Sequence, residues 1–357
     1  MKKQNRLYPV LLAILLMLVL TLAACQKQVS EETTGSTPTE TTEAPSQTQE
    51  AGKTEKKDFF DKVFDTSEDA GRLTVRYLYT STAFMMNGER VQCGDAVVYK
   101  SPEGKIMMVD CGNPAGFDEF DPQLQAMGIE KIDIFVMSHP HADHIGSFLK
   151  LAEKYPIGTV YYNGHEYASN TYQNAKAYVL EHNIPFILLK EGDSFKLGES
   201  VEVTVYNPEK GQTDDVSASY ADANNGSIAM RVVYGDSSFW TAGDIYALAE
   251  ERLIETYGDA IHCDIVKMNH HGNSTSNGKK FVEGMKPKAA IGLYEVIADK
   301  TVALRYSVKG ALTFYNCQDG AIRIATNGDG KYDIQTQWIR EIDYYGKPSA
   351  DGHYTLE

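Results

Sequence analysis

The chain has 357 residues, 42% of them hydrophobic and 10% aromatic, and a formal net charge of -15. A chain of that size and apolar content closes an ordinary core without staples, which excludes a small disulfide- or metal-dependent scaffold. Nucleic-acid binders carry a basic footprint, so the acidic surplus leaves room for a polyanion only in a local basic groove.

Residues 1–24 begin with Lys2, Lys3 and Arg6, continue through an apolar run at 7–22, and end in Ala23-Ala24 before Cys25. The run is too short, and its far flank too small and polar, for a spanning helix, so it reads as a leader peptide. Leu22-Ala23-Ala24-Cys25 looks like a bacterial lipoprotein box, which makes Cys25 the lipidated first residue; a plain secretory signal with a chance cysteine is the alternative. Both place the mature chain outside the cytoplasm, and lipid on Cys25 would tether it to the membrane's outer face. Residues 25–58 are rich in Thr, Ser, Glu, Gln and Pro, with Val29 as the one bulky aliphatic side chain. Such a segment cannot bury enough apolar surface to offset its ordering entropy, so a disordered tether is expected there. One folded domain is expected over 59–357, opening with a short amphipathic helix at 59–64 and a turn at 67–71.

Alternating or continuous apolar runs predict strands at 73–79, 96–99 and 105–110, a turn at Gly112-Asn113-Pro114, and a further buried strand at 132–137. That strand leads into His139-Pro140-His141-Ala142-Asp143-His144-Ile145-Gly146. Pro140 disfavours helix at His139, so His139 and His141 project from a loop at the strand's end. Imidazole and carboxylate are ligands for borderline divalent metals, and four such groups exceed what one ion takes from one loop. His139 and His141 can hold one ion while Asp143 and His144 turn toward a second. A histidine-bearing surface loop without metal is the competing interpretation.

Beyond the loop, helical spacing at 145–155 predicts a helix whose N-terminus points at the metals and favours an anionic substrate. Strands follow at 160–162 and 186–189 around a helix at 170–182, with His165 expected at the surface. Strands at 201–206 and 227–234 are joined by a polar loop containing Asn224 and Asn225, where a turn with positive φ is one interpretation. The strand at 239–242 runs into Gly243-Asp244, and a carboxylate so placed can bridge two ions. A helix at 245–257 and a strand at 264–268 deliver His270-His271-Gly272. A helix at 276–285 and strands at 288–293, 312–315, 321–325 and 334–338 close the domain. Cys93, Cys111, Cys263 and Cys317 lack zinc-ribbon spacing; disulfides and buried free thiols are both open.

The His-x-His-x-Asp-His run resembles the signature of the metallo-beta-lactamase superfamily. A closer likeness, to the hydrolase domain of the ComEC-type competence branch, spans residues 73–338. It is carried in order by Gly94-Asp95-Ala96, Val109-Asp110-Cys111-Gly112, the histidine run, Asn224-Asn225-Gly226-Ser227, Ala242-Gly243-Asp244, His270-His271-Gly272 and Asp319-Gly320-Ala321-Ile322. The resemblance implies an α/β fold, the four-layer αββα sandwich, with metals at one sheet edge. It implies two divalent ions, zinc first with manganese or iron as alternatives, on His139, His141, Asp143, His144, Asp244 and His271. Glycine commonly follows the ligand in such sites, which favours His271 over His270. Asp143 would also orient the nucleophile, His270 would donate a proton, and Asp110 would orient a ligand imidazole. Asn224-Asn225 stands where many members place a third histidine, absent here, so an amide there would contact substrate oxygen and leave one ion open. Competence-type relatives also carry a Gly-His-Pro histidine; the stretch 291–310 offers Tyr294, Arg305 and Tyr306 instead, with Tyr294 as a substrate contact.

The function this implies is an extracytoplasmic, lipid-tethered phosphodiesterase. Its substrates would be cell-envelope phosphoesters, such as phosphorylcholine on teichoic acid, or extracellular nucleic acid, which the net charge disfavours. Hydrolysis of carboxylic esters, lactones or beta-lactams at the same site is the enzymatic alternative, and a non-catalytic surface binding module is the alternative of another class. No protein partner is implied.

Overall fold

Strands that are apolar on both faces need cover on both sides, and each face of the two main sheets has its own. The computed structural model describes residues 57–213, 219–340 and 349–357. The first sheet has nine strands, in the order His353–Leu356, Tyr332–Thr336, Ile322–Thr326, Leu73–Tyr77, Val97–Lys100, Ile106–Val109, Ile132–Met137, Ile157–Tyr162 and Phe186–Leu188. The second has seven, in the order Leu312–Tyr315, Ala289–Gly292, Ile265–Lys267, Ser237–Thr241, Ala229–Tyr234, Val201–Asn207 and Ser194–Leu197.

The central core lies between the sheets. Val97, Tyr99, Met107, Val109 and Val136 from the first meet Val203, Val232, Phe239, Ile265 and Ile291 from the second. Their strand neighbours point outward because side chains alternate with period two. Val98, Met108 and Phe135 pack under the helices Phe60–Phe64, Gly116–Ala126, Phe148–Lys154 and Asn170–Glu181. On the far side Trp240, Val266 and Ala290 pack under Ala247–Tyr257, Lys279–Met285 and Lys300–Ser307. The result is the four-layer αββα sandwich expected from the sequence.

Topology places the site. Ile106–Val109, Ile132–Met137 and Ile157–Tyr162 run parallel in the first sheet, as do Ser237–Thr241, Ile265–Lys267 and Ala289–Gly292 in the second. Ligands of α/β sheets sit outside the carboxyl ends of such strands. Asp110, His139, Asp244, His271 and Tyr294 each follow one of these ends.

Several local expectations are corrected. The helix after the metal loop is two short pieces, Ala142–Ile145 and Phe148–Lys154. At Gly146, between them, a Cβ would lie 2.2 Å from Ala142 O and 2.5 Å from Pro114. Asp143 and His144 therefore lie within the first piece, and among the described residues no long helix follows the loop with its N-terminus toward it. Asn224 and Asn225 end a helix, Tyr220–Asn225, started by a Ser219/Asp222 capping box, and neither has positive φ. His165 is fully buried, edge-on to Tyr167, and is not a surface residue. The helix Gly116–Ala126, which contains Pro122, and the hairpin Phe84–Met86/Glu89–Val91 have no counterpart in the sequence-based expectation. The predicted leader, Cys25 and the tether up to residue 56 lie outside the described residues.

Candidate metal centre

The strand ends converge because several residues adopt backbone that side chains ordinarily avoid. Asp110 (φ 59°), His270 (φ 48°) and His271 (φ 56°) all lie in the left-handed region, and non-glycine residues held there cluster at functional sites. Gly94 (φ 74°) allows a backbone contact no other residue permits, since its Cβ would lie 1.5 Å from Asp143 O. The turn carrying Asp95 is thereby pressed directly on the loop carrying Asp143.

His139, His144 and His271 each have one nitrogen anchored and one turned inward. His144 Nδ1 bonds Asp110 Oδ2 at 2.8 Å, while Ser138 donates to Asp110 from its backbone N (2.8 Å) and its hydroxyl (2.6 Å). His271 Nδ1 bonds Asp95 Oδ1 at 3.0 Å and Leu293 O at 3.1 Å. His139 Nδ1 lies 3.0 Å from Ser138 Oγ. Carboxylates behind histidines in this way fix the tautomer and aim the free nitrogen at an ion. His144 Nε2 is 3.2 Å from Asp244 Oδ2. His271 Nε2 is 3.3 Å from both Asp143 Oδ2 and Asp244 Oδ2. His139 Nε2 and His141 Nδ1 face each other at 3.0 Å, with Asp244 Oδ2 3.9 Å from the former. The structure thus brings His139, His141, Asp143, His144, Asp244 and His271 together. His271 is buried and His270 less so, with His270 Nε2 3.7 Å from Asp244 Oδ2.

The donor set fits divalent cations on two counts. His141 Nε2, His144 Nε2, His271 Nε2, Asn224 Oδ1 and both Asp244 carboxylate oxygens are buried without an aligned hydrogen-bond partner, and buried polar groups left so are costly. The site holds four buried carboxylates, on Asp95, Asp110, Asp143 and Asp244, and one buried ammonium, Lys267, which feels Asp95, Asp244 and Asp110. The electrostatics report the same deficit. Burial opposes charge on His144 and His271, yet Asp244 and its neighbours push both well above the ordinary imidazole range. Burial would raise Asp143, but His144 and His271 hold it at about 2. Asp110 is raised by burial, and burial lowers His141 to about 4.

Asp95, His144, Asp244 and His271 place donor atoms within 4.8 Å of one another. Asp95, however, is committed to Lys267 and to His271 Nδ1, so it orients a ligand and does not compete for the ion. Neither Asp95 nor Lys267 is recognisable as a site residue from the sequence, where Gly94-Asp95-Ala96 carries only a family likeness. Asn224 Nδ2 donates to Tyr246 Oη at 2.8 Å. The Asn225 amide oxygen accepts from Tyr246 N at 3.0 Å, which leaves Asn225 only its NH2 for any ligand. Tyr294 is half-buried and stacks on His271, with ring centroids 5.5 Å apart. Tyr220, also missed, lies flat on His141 at 3.7 Å. A cleft of about 270 Å³ opens here between the hairpin and the loop, lined by Arg90, His141, Asp143, Tyr167 and Tyr220 among others. Cys93, Cys111 and Cys263 are buried free thiols.

The chain is similar to several known proteins. The curated relatives include the competence protein ComA of Neisseria gonorrhoeae, 24% identical over 229 residues, covering 63% of this chain and 29% of that protein. ComE operon protein 3 of Bacillus subtilis is 24% identical over 170 residues, 48% of this chain and 21% of that protein. This chain therefore spans less than a third of the length of either. Among solved structures, Igni18, a metallo hydrolase of the archaeon Ignicoccus hospitalis, has a TM-score of 0.43 at 14% identity, covering 67% of this chain and 94% of that one. The metallo-beta-lactamase fold protein YhfI of Bacillus subtilis has a TM-score of 0.43 at 11% identity, covering 68% and 95%. Residues 94–289, more than half of the chain and the whole span from the Asp95 turn to the strand after His271, match the profile of one family: the chain is a metal-dependent hydrolase belonging to the metallo-beta-lactamase superfamily.

Proposed function

We propose that this hydrolase binds two divalent ions, zinc in the first instance, and cleaves phosphodiesters outside the cytoplasm while tethered through lipid on Cys25. The observation that carries the two-ion reading is the inward-facing set of buried, unpartnered donors, which outnumbers what a single cation takes up. His139 and His141 would hold one ion, Asp143, His144 and His271 the other, and Asp244 would lie between them. Bound there, such ions polarise a substrate oxygen and make hydroxide available near neutral pH.

The chain's own groups supply orientation and the proton. Asp110 and Asp95 hold the His144 and His271 rings with Nε2 inward. Thr275 Oγ1 lies 2.6 Å from His270 Nδ1; a hydroxyl donating there leaves the ring proton on Nε2, the nitrogen facing the site. Burial holds the His270 pKa below the ordinary imidazole value while the nearby Asp244 charge works against it; the neutral ring hydrogen-bonds a leaving oxygen through its Nε2–H, and the imidazolium is the form that would hand over a proton. Tyr220 and Tyr294 cover the rings on either side and limit water.

The likeness to the competence branch favours a phosphodiester over a carboxylic ester in this reading. The cleft's lining and the acidic composition favour short envelope phosphoesters over long nucleic acid. Arg90 is the cation lining the cleft, and it is already paired with Glu295 at 2.5 Å, so a polyanion finds no basic track. Turnover of bis-(p-nitrophenyl) phosphate by metal-loaded protein, abolished by chelator and restored by zinc or manganese, is the expected result. Metal-dependent hydrolysis of nitrocefin or lactones with no phosphodiester turnover would replace this reading with the carboxyl-ester one.

A further inference from the structure

Lys267 ends the strand Ile265–Lys267 with its side chain wholly buried. Its ammonium lies on the Asp95 carboxylate and donates to Gly243 O at 3.2 Å. The same Gly243 oxygen accepts from His270 N at 3.0 Å, and the next residue is Asp244. The other Asp95 oxygen takes His271 Nδ1 at 3.0 Å. One cation therefore touches three turns that are far apart in the chain: Gly94-Asp95, Gly243-Asp244 and, through Asp95, His270-His271.

We propose that Lys267 is a positioning residue for the metal centre, fixing Asp244 and His271 relative to each other by joining the Asp95 carboxylate to the Gly243 carbonyl. The bond network gives it this role because Asp244 and His271 come from different strands and no other buried lysine or arginine side chain among the described residues bridges their turns. A purely electrostatic role makes the opposite prediction. An ammonium beside a divalent cation repels it, so its removal would tighten metal binding if charge were all it contributed. A residue that holds ligands in place loosens binding when removed, by about 10- to 100-fold for an outer-shell partner.

This inference rests on the metal-binding reading, and the experiment separates the two. Zinc and manganese affinity are measured by competition with a chromophoric chelator on wild type, Lys267→Met, and the pair Lys267→Met/Asp95→Asn. Melting of the metal-free proteins is followed alongside. Lys267→Met leaves Asp95 buried and unpaired, and it can fail to fold. The double variant removes both charges and keeps a neutral acceptor for His271, and Asp95→Asn alone, measured beside it, gives what the loss of the Asp95 carboxylate costs by itself. The expected result is a metal-free double variant that melts within a few degrees of wild type but binds metal at least tenfold more weakly than Asp95→Asn. Binding by a folded double variant as tight as or tighter than that of Asp95→Asn overturns the role of Lys267 alone. Absence of metal uptake by wild type overturns the metal-binding reading itself.

Discussion

Gly94→Ala tests the architecture of the centre without altering any charged or metal-binding group. Two costs can be read from the structure. The first is the left-handed backbone at φ 74°, which costs an L-residue about 1–2 kcal/mol. The second is the Cβ placed 1.5 Å from Asp143 O, where real contacts do not fall below 3.0 Å. Relief requires the Asp95 and Asp143 turns to separate by about 1.5 Å, and misplacement of about 1 Å near a reacting centre can cost 100-fold in rate. Gly104→Ala is the control, because Gly104 has φ 85° and nothing within 4 Å of its Cβ. It bears the backbone cost without the collision. The expected outcome is a drop of about 2–8 °C in melting temperature for Gly104→Ala, from about 1–2 kcal/mol at roughly 2–4 °C per kcal/mol, with metal affinity unchanged. Gly94→Ala is expected to melt more than 8 °C lower and to lose at least 100-fold in metal-dependent turnover. Calorimetry, chelator competition and a bis-(p-nitrophenyl) phosphate assay on the three proteins read this out. Equal effects of the two substitutions on metal affinity and turnover would refute the reasoning, because the Asp143 contact would then be irrelevant.

Asp110→Asn cannot satisfy Ser138 N, the Ser138 hydroxyl and His144 Nδ1 together, because one side of the new amide is a donor. Zinc affinity should fall about 10- to 100-fold, and a chelator titration showing no change would exclude the orienting role. His270→Ala should lower kcat by about 10²–10⁴ for diesters with alkoxide leaving groups and far less for p-nitrophenolate, which departs without a proton; equal losses would rule out proton donation. Asp69, buried beneath the first sheet's outer layer, accepts from Arg76 at 2.9 and 3.1 Å and from Lys100 at 3.3 Å. Burial works to raise its pKa, but Arg76, Lys100 and Arg323 hold it below the ordinary carboxylate value. Its stabilisation is therefore fully present above the unfolded pKa of about 3.9 and is lost as pH falls through the lower folded value. Asp69→Asn should destabilise the protein by about 3–5 kcal/mol at neutral pH, since Arg76 is left buried without its counter-charge, and should flatten the acid limb of a urea-denaturation pH series. An unaltered acid limb would count against the assignment.

The metal loop was legible because its donors are adjacent in sequence and any fold that exposes the strand end presents them together. The two-layered core was legible for a similar local reason, since Val97-Val98-Tyr99 and Ile106-Met107-Met108-Val109 announce sheets covered on both faces. Lys267 and Asp95 were not. Their partnership joins positions 172 residues apart, and a lysine in a strand reads as solvent-facing until the fold shows otherwise. Gly116–Ala126 escaped because Pro122 and three acidic residues interrupt its apolar spacing. His165 reads as a surface residue because a histidine between two polar-looking segments carries no sign of its burial beside Tyr167. Asn224 and Asn225 looked equivalent in sequence; only their hydrogen bonds distinguish an amide with a free inward oxygen from one engaged by the following turn.

The centre draws Asp110, His139, His141, Asp143 and His144 from the first sheet's connections and Asp244 and His271 from the second's. Neither half of the polypeptide alone presents the whole donor set, so a cation bound there would act as a clasp across the seam, fully gripped only after both halves have met. Tight uptake would then be a late step that reports completed assembly. A molecule that stalls with one sheet formed would hold metal weakly, and chelator or protease would find it first.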